Sequence, residues 1–249
     1  MVKRPIHRLN SDHASPEMDE LAEEVIITIS CADEVVVRLL ATPFDLEDLA
    51  YGHIFCEGRG SIDSIKVEDT EIFLTGEIKR RPNEDLLTAA CGACTTGEIE
   101  VPLGTVSNTQ KLRANIGKMI GSMRSSQPMF ESTGGVHAAS IFDNNGKLLI
   151  TREDIGRHNA FDKAIGSALR KNIPAKIIAL SGRVGWELVA KAVRSGVEII
   201  LSVGAISSAA ESLARSSGIT VVGFASRERP AVVGDLSRII DKPSSSRKD

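Results

Sequence analysis

The chain has 249 residues, 42% of them apolar and 25% charged, with a formal net charge of −3 at pH 7. This is the balance of an ordinary globular protein with room for one large domain or two modest ones. It gives no reason to expect a nucleic-acid partner, and with no run of about 18 apolar residues no membrane span is expected.

The stretch "MVKRPIHRLNSDHASPEMDE" has no apolar h-region, so no signal peptide is expected and the cytoplasm, where thiols stay reduced, is the default. Residues 1–20 are polar and aperiodic and are expected to be loose, like the tail at 242–249. "EVIITIS" and "EVVVRLLA" flank "CAD" and predict a hairpin between Glu24 and Ala41. "TPFDLEDLAYGHIFCEG" predicts a helix with Thr42 as N-cap, Pro43 at N1 and Asp45 at N3. Leu46, Leu49, Ala50, His53 and Ile54 share one of its faces, Gly58 can end it, and His53 and Cys56 read as packing residues. "SIKVED" and "EIFLTG" form a second β region, residues 82–110 read as loop, and "QKLRANIGKMIGSM" reads as a helix.

From Gly134 onward strands and helices alternate. "HAASIFD" and "KLLITRED" flank "NNG", a hairpin turn. "NAFDKAIGSALRK" is an amphipathic helix with Ala160, Phe161, Ala164, Ile165, Ala168 and Leu169 inward. "KIIALSG", "VEIILSVGA" and "ITVVGFA" read as strands, and "GWELVAKAVRSG" and "SSAAESLARSSG" as helices. This order predicts an α/β fold: a mostly parallel, covered sheet over 111–241 and a smaller β-rich part over 21–110.

Ligands of such sheets sit beyond the carboxyl ends of the strands. Three loops meet that condition: "SGRVG" (181–185), "VGAISS" (203–208) and "FASRER" (224–229). The first two open helices, and the three carry Arg183, Arg227 and Arg229, whose planar forks suit phosphate. That points to a phosphorylated ligand such as a nucleotide; the alternative is solvated arginines on ordinary turns. A second polar cluster joins "STGGVHAA" to "TREDIGRHNAFDKAIG". Here His137 and His158 read either as acid/base groups or cofactor contacts, or as satisfied histidines, and Asp154 or Asn159 as helix caps.

Cys91 and Cys94 form the one CxxC, in "AACGACTTGE". A structural zinc site needs four ligands, and only one pair is present, so none is expected. The zinc-deaminase signature fails as well: no histidine is followed two residues later by glutamate, and Ala90 rather than proline precedes Cys91. A thioredoxin-like pair opens a helix, whereas Gly92, Thr95, Thr96 and Gly97 read as loop. A persulfide carrier fits better: a thiolate on an accessible loop can take sulfur from a donor persulfide, and a second thiol can attack or stabilise it.

The stretches "TPFDLEDLAYGHIFCEG", "CGAC", "TGGVHAA", "REDIGRHNAFDKAIG", "LSGR" and "GITVVGF", spread from about Glu24 to Arg229, resemble the formate dehydrogenase accessory sulfurtransferases, the FdhD family. The resemblance implies a C-terminal cytidine-deaminase-like α/β/α domain without its zinc site, in a homodimer. It implies a sulfurtransferase-type sulfur carrier that passes sulfur from a cysteine desulfurase to the molybdenum or tungsten bis-pyranopterin guanine dinucleotide cofactor of formate dehydrogenase. By position, Cys91 is the carrier and Cys94 its helper. Phe224, Ala225, Ser226, Arg227, Glu228 and Arg229 fall on the motif that binds the guanine nucleotide moiety, and Gly182, Arg183, His137, Arg157 and His158 are the further expected contacts. The chain departs from the family pattern at Gly185, where serine is usual, at Ala205–Ser207, at Ser226, where an arginine is expected, and at Thr95. Two other readings compete: a nucleotide-metabolising hydrolase of deaminase-like fold, which the missing H-x-E pattern disfavours, and a non-catalytic cofactor-binding chaperone.

Overall fold

The computed structural model describes residues 1–9, 11–79, 86–87, 102 and 104–240. The first stretch, expected to be loose, is a two-stranded antiparallel ribbon of β1 (Val2–Leu9) and β2 (Ala14–Leu21), with Val2 opposite Leu21 and Leu9 opposite Ala14. It has no apolar face, so hydrophobic periodicity carries no trace of it. Main-chain pairing and cross-strand charges hold it, with Arg8 2.8 Å from Asp19 and Lys3 3.9 Å from Glu20. Pro5 is tolerated because both strands are edges.

β3 (Val25–Cys31) and β4 (Glu34–Ala41) form the predicted hairpin, turning through Ala32 (φ 50°) and Asp33 (φ 60°), the left-handed pair that matches strand twist. The helix α1 (Leu46–Cys56) follows, then β5 (Ser64–Glu68), β6 (Glu71–Thr75) and β7 (Leu86–Leu87), completing a five-stranded sheet in the order β5-β6-β3-β4-β7. Helix α1 starts after Asp45, which sits at φ 54°, not at Thr42. The Thr42 N–H and hydroxyl are both taken by the Asp154 carboxylate, at 3.0 and 2.9 Å.

Next come α2 (Ile116–Arg124), capped by the Asn115 side chain, and α3 (Pro128–Thr133). The remaining elements are β8 (His137–Phe142), β9 (Leu148–Asp154), α4 (Arg157–Arg170), β10 (Ile177–Leu180), α5 (Trp186–Ser195), β11 (Ile199–Ser202), α6 (Ser208–Ser217), β12 (Thr220–Gly223) and β13 (Ala231–Val233). The second sheet has six strands in the order β13-β12-β11-β10-β8-β9. It is mixed rather than mostly parallel: β10–β11 and β11–β12 are parallel, while β8–β9, β8–β10 and β12–β13 are antiparallel. The connections decide this, since the tight turn before Leu148 and the short run after Gly223 are too brief for a parallel crossover.

Strands β10, β11 and β12 are buried along their whole length, as covered strands must be. Helices α4, α5 and α6 pack one sheet face through residues such as Phe161, Leu188 and Leu213. Helix α2 packs the other, with Ile116, Met119 and Ile120 against Ile177, Ile199 and Leu201. The inward face of α4 runs through Ala160, Phe161, Ala164, Ile165 and Ala168, but Leu169 is 41% exposed.

The two sheets meet through helices. α1 lies against the inner face of the five-stranded sheet and, on its other side, against α4. This is why Asp48, Gly52 and Cys56 are buried along with the predicted apolar face. The helices touch backbone to backbone. A Cβ on Gly52 would lie 1.7 Å from the Asp162 carbonyl oxygen, and one on Gly166 would lie 1.9 Å from that of Asp48. No described helix is long and apolar enough to cross a membrane.

Candidate functional site

The three loops at the carboxyl ends of β10, β11 and β12 come together and are cross-braced. Val184 N–H donates to Ala205 O (2.9 Å) and Ser207 N–H to Val184 O (3.0 Å); Phe224 N–H donates to Gly204 O (3.0 Å) and Ala225 N–H to Ser202 O (2.8 Å). The Ser202 hydroxyl sits 2.7 Å from Gly182 O. The first two loops are in such contact that a Cβ on Gly204 would stand 2.8 Å from the Arg183 nitrogen. Phe224 adopts φ 53°, a conformation that costs a bulky side chain energy and that clusters at functional sites. Its ring carries the Arg227 guanidinium at 4.0 Å, a cation–π contact.

Arg183, Arg227 and Arg229 are exposed, and among the described residues none of them makes an ion pair. Two helix N-termini open toward them. The N-caps of α4 and α5 are Gly156 and Gly185, neither with a side-chain cap, whereas α6 is capped by the Ser207 hydroxyl. The first turn of α4 holds no acid and begins with Arg157 and His158, which opposes the helix dipole; an anion placed there would relieve that conflict.

His137, at the start of β8, closes the group. Its Nδ1 is 3.3 Å from the Ser181 hydroxyl, and a Cβ on Gly182 would come within 3.1 Å of it, so Gly182 makes room for the imidazole. Burial lowers the His137 pKa, and the nearby positive charges of Arg157 and Arg183 lower it further. His158 Nε2 lies 3.0 Å from Glu187 Oε2 at the start of α5. A cleft of about 320 Å³ opens beside these groups, lined by His137, Ser181, Val203, Gln127 and Phe130 among others. The sequence-predicted residues Gly182, Arg183, His137, Arg157 and His158 are therefore one constellation, joined through Gly204 to Phe224. Met123, Arg124, Gln127 and Phe130 are lining residues that motif reading did not single out.

Comparison with known proteins follows the same boundaries. The model of the FdhD/NarQ family matches residues 22–240. The chain belongs to the FdhD/NarQ family. A protein of Sulfurisphaera tokodaii named sulfur carrier protein FdhD is 32% identical over 237 residues, covering 90% of this chain and 93% of its own. One of Nocardia farcinica with the same name is 32% identical over 266 residues, covering 96% and 94%. A solved structure from Desulfotalea psychrophila, described as that of a formate dehydrogenase accessory protein, superposes with a TM-score of 0.81 at 25% identity over 96% of this chain and 99% of that one.

In this FdhD/NarQ family member the polar run "REDIGRHNAFDKAIG" divides into two jobs. Arg157 and His158 face the site, while its other charged residues are structural. Asp154 is fully buried and meets Lys163 Nζ (2.7 Å), Asn159 Nδ2 (3.0 Å) and the Gly156 N–H (2.8 Å) as well as Thr42. Asp162 pairs with Lys191 Nζ at 2.6 Å and with His53 Nδ1 at 3.3 Å. Arg152 bonds Asp48, and Glu153 accepts the N–H groups of Met129 and Phe130. His53 and Cys56 are thus interior packing groups, as read. The Cys56 thiol, 3.2 Å from the Ser195 hydroxyl, is pushed well up by burial and is inert, and Cys31 is buried too. Cys91 and Cys94 lie outside the described residues, as does the tail at 242–249.

Proposed function

We propose that this chain is a sulfur carrier serving formate dehydrogenase. Cys91 attacks the terminal sulfur of a cysteine desulfurase persulfide, the desulfurase thiolate leaves, and Cys91 holds the sulfane sulfur as its own persulfide. Cys94 assists release to the acceptor. That acceptor is the substrate: a molybdenum or tungsten bis-pyranopterin guanine dinucleotide cofactor, received on a cytidine-deaminase-like scaffold and handed to formate dehydrogenase. The protein works as a homodimer in the cytoplasm, where thiols stay reduced.

One observation carries this reading. In a family whose curated relatives are named sulfur carriers, arginines that make no ion pair among the described residues and helix ends without a side-chain cap converge at the strand-end loops. Phosphate fits that arrangement: Arg183, Arg227 and Arg229 supply charge-assisted bonds and α4 and α5 supply oriented N–H groups. The two described cysteines are buried, which leaves Cys91 and Cys94 as the thiols proposed for transfer.

The test is intact mass after incubation with a cysteine desulfurase and cysteine, followed by peptide mapping. One added sulfur on Cys91 is expected, and Cys91→Ala is expected to abolish maturation of formate dehydrogenase while Cys94→Ala is milder. Sulfur found on Cys31 or Cys56, or normal maturation by both variants, would remove the carrier role.

A further inference from the structure

The carboxylate of Asp154, at the end of β9, is fully buried and is not part of the cleft wall. It holds two segments that are far apart in the chain. One oxygen accepts the Gly156 N–H at 2.8 Å and the Asn159 side-chain N–H at 3.0 Å, which fixes the turn into α4. The other accepts the Thr42 N–H at 3.0 Å and the Thr42 hydroxyl at 2.9 Å, just beyond the end of β4. Lys163 Nζ balances the charge from 2.7 Å and also donates to the Thr42 hydroxyl (2.8 Å) and carbonyl (3.0 Å). The Asn159 side chain adds a 2.8 Å bond to Leu40 O. Thr42, Asp154 and Lys163 are all fully buried, so water cannot replace a bond lost among them.

Each segment leads to a part that the sulfur-carrier reading uses. Beyond Gly156 come Arg157 and His158, and His137 stands opposite Asp154 in the ladder of β8 and β9. On the other side, Arg38 and Leu39 of β4 pair with Leu86 and Leu87 of β7, and Cys91 follows Leu87 by four residues in the sequence. Further fasteners between the two parts run through α1: Asp48 to Arg152 and Arg170, His53 to Asp162, and the close approaches at Gly52 and Gly166. Those hold α1 in place. The Asp154 node instead sets where α4 begins relative to the end of β4.

We propose that Asp154 and Thr42 are positioning residues for sulfur delivery. They keep the strand pair that leads to Cys91 in register with the start of α4, so that carrier and acceptor share one frame. Loading of Cys91 by a desulfurase needs an accessible thiolate and not this register. Delivery needs both, because a misplacement of about 1 Å can cost on the order of a hundred-fold in rate. The inference rests on the carrier reading given above, and it adds the residues that align the two parts.

Thr42→Val removes the hydroxyl at nearly constant shape, and Thr42→Ser keeps it. Three quantities are measured on the full chain: persulfide on Cys91 by intact mass after incubation with a cysteine desulfurase and cysteine, maturation of formate dehydrogenase, and the thermal midpoint. Thr42→Val is expected to load Cys91 as the wild type does and to lower the rate of maturation by about ten-fold or more, with Thr42→Ser restoring it. Asn159→Ala, which cuts the link to Leu40 O, is expected to show the same split. Ser107→Ala is the control for stability, since it removes a 2.7 Å bond to the buried Glu198 carboxylate at the far end of the sheet. Its midpoint is expected to fall by an amount similar to that of Thr42→Val while maturation holds. If maturation falls equally in Ser107→Ala, or if loading falls together with delivery in Thr42→Val and Asn159→Ala, the node acts through stability alone and the proposal is overturned. Normal maturation by Thr42→Val and Asn159→Ala overturns it as well. If the wild type takes no sulfur on Cys91, the carrier reading falls first and this inference with it.

Discussion

The two ends of the parallel strands β10, β11 and β12 are equally polar and differ in what that polarity meets. At the amino end, Glu198 is fully buried and accepts from Thr109 N (2.8 Å), Gln110 N (2.9 Å), Ser107 Oγ (2.7 Å) and Thr109 Oγ1 (2.7 Å), with Lys176 Nζ at 3.5 Å. Arg238, 2% exposed, donates to Glu198 O (2.7 Å), Ser107 O (3.0 Å) and Asn108 Oδ1 (2.8 Å). This end is a lock that fastens the segment entering the α/β part and the segment leaving it. At the carboxyl end, among the described residues, three exposed arginines make no ion pair and two helix N-termini have no side-chain cap. The two ends differ in how far their polar side chains find ionic or capping partners among the described residues.

The largest effect is expected at the lock. Burial alone would raise the Glu198 carboxyl, but the bonds from Ser107, Thr109 and Gln110 overcome it and pull the pKa from 4.5 to about 2. A depressed carboxyl stabilises the folded chain above its unfolded pKa and loses that contribution as pH falls through its folded one. The contribution is about 3 kcal/mol, fully present at pH 7 and lost between about pH 4.5 and about pH 2. Urea unfolding of Glu198→Gln should show that deficit at pH 7, and the gap to the wild type should narrow toward pH 2. A deficit independent of pH would mean that shape, not charge, makes the lock.

How far each end was legible follows from the distance over which its residues find partners. The strand-end loops were readable because the site rule needs only the local order of strand, loop and helix, and the hairpin of β3 and β4 because its turn and its β-branched runs are adjacent in sequence. Glu198 gave no signal: the groups that donate hydrogen bonds to its carboxylate stand 88 to 91 residues away, and the partners of Arg238 as far as 131. The all-round burial of α1 depends on α4, far along the chain, so periodicity showed only the face toward its own sheet. The mixed direction of the second sheet is set by β8 and β13, whose antiparallel pairings a repeating βα order does not reveal. The ribbon of β1 and β2 buries no apolar stripe and so has no period to detect. The cysteine pair was legible as a motif and lies outside the described residues.

At the open end the effect should move from stability to binding. Arg229→Ala removes an exposed side chain without an ion pair, so the unfolding free energy should stay within about 0.5 kcal/mol of the wild type. The same change should weaken GDP by roughly ten- to a hundred-fold, the loss of one charge-assisted contact. Calorimetry and urea unfolding on one preparation separate the two. A large loss of stability with unchanged affinity would make this rim structural and erase the contrast with the lock.

The smallest effect sharpens the contrast by moving the open end one step toward the closed one. Gly185 is the N-cap of α5 at φ −96° and ψ 174°, an extended backbone that any residue adopts, and a Cβ there would meet nothing within 4 Å. Serine fits this space without strain. Its hydroxyl oxygen can accept an N–H of the first turn of α5, which no side chain caps in the wild type. Replacing a glycine cap by serine gains only a few tenths of a kcal/mol, because glycine is itself an acceptable cap. For a chain of this size that is a rise of about 1 °C in the thermal midpoint. The serine O–H stays free to donate to an anion, so GDP affinity should change by less than about twofold. A fall in the midpoint would place the start of α5 under a packing constraint that the open space around Gly185 does not reveal, and the openness of this end would then need another origin than an uncapped helix.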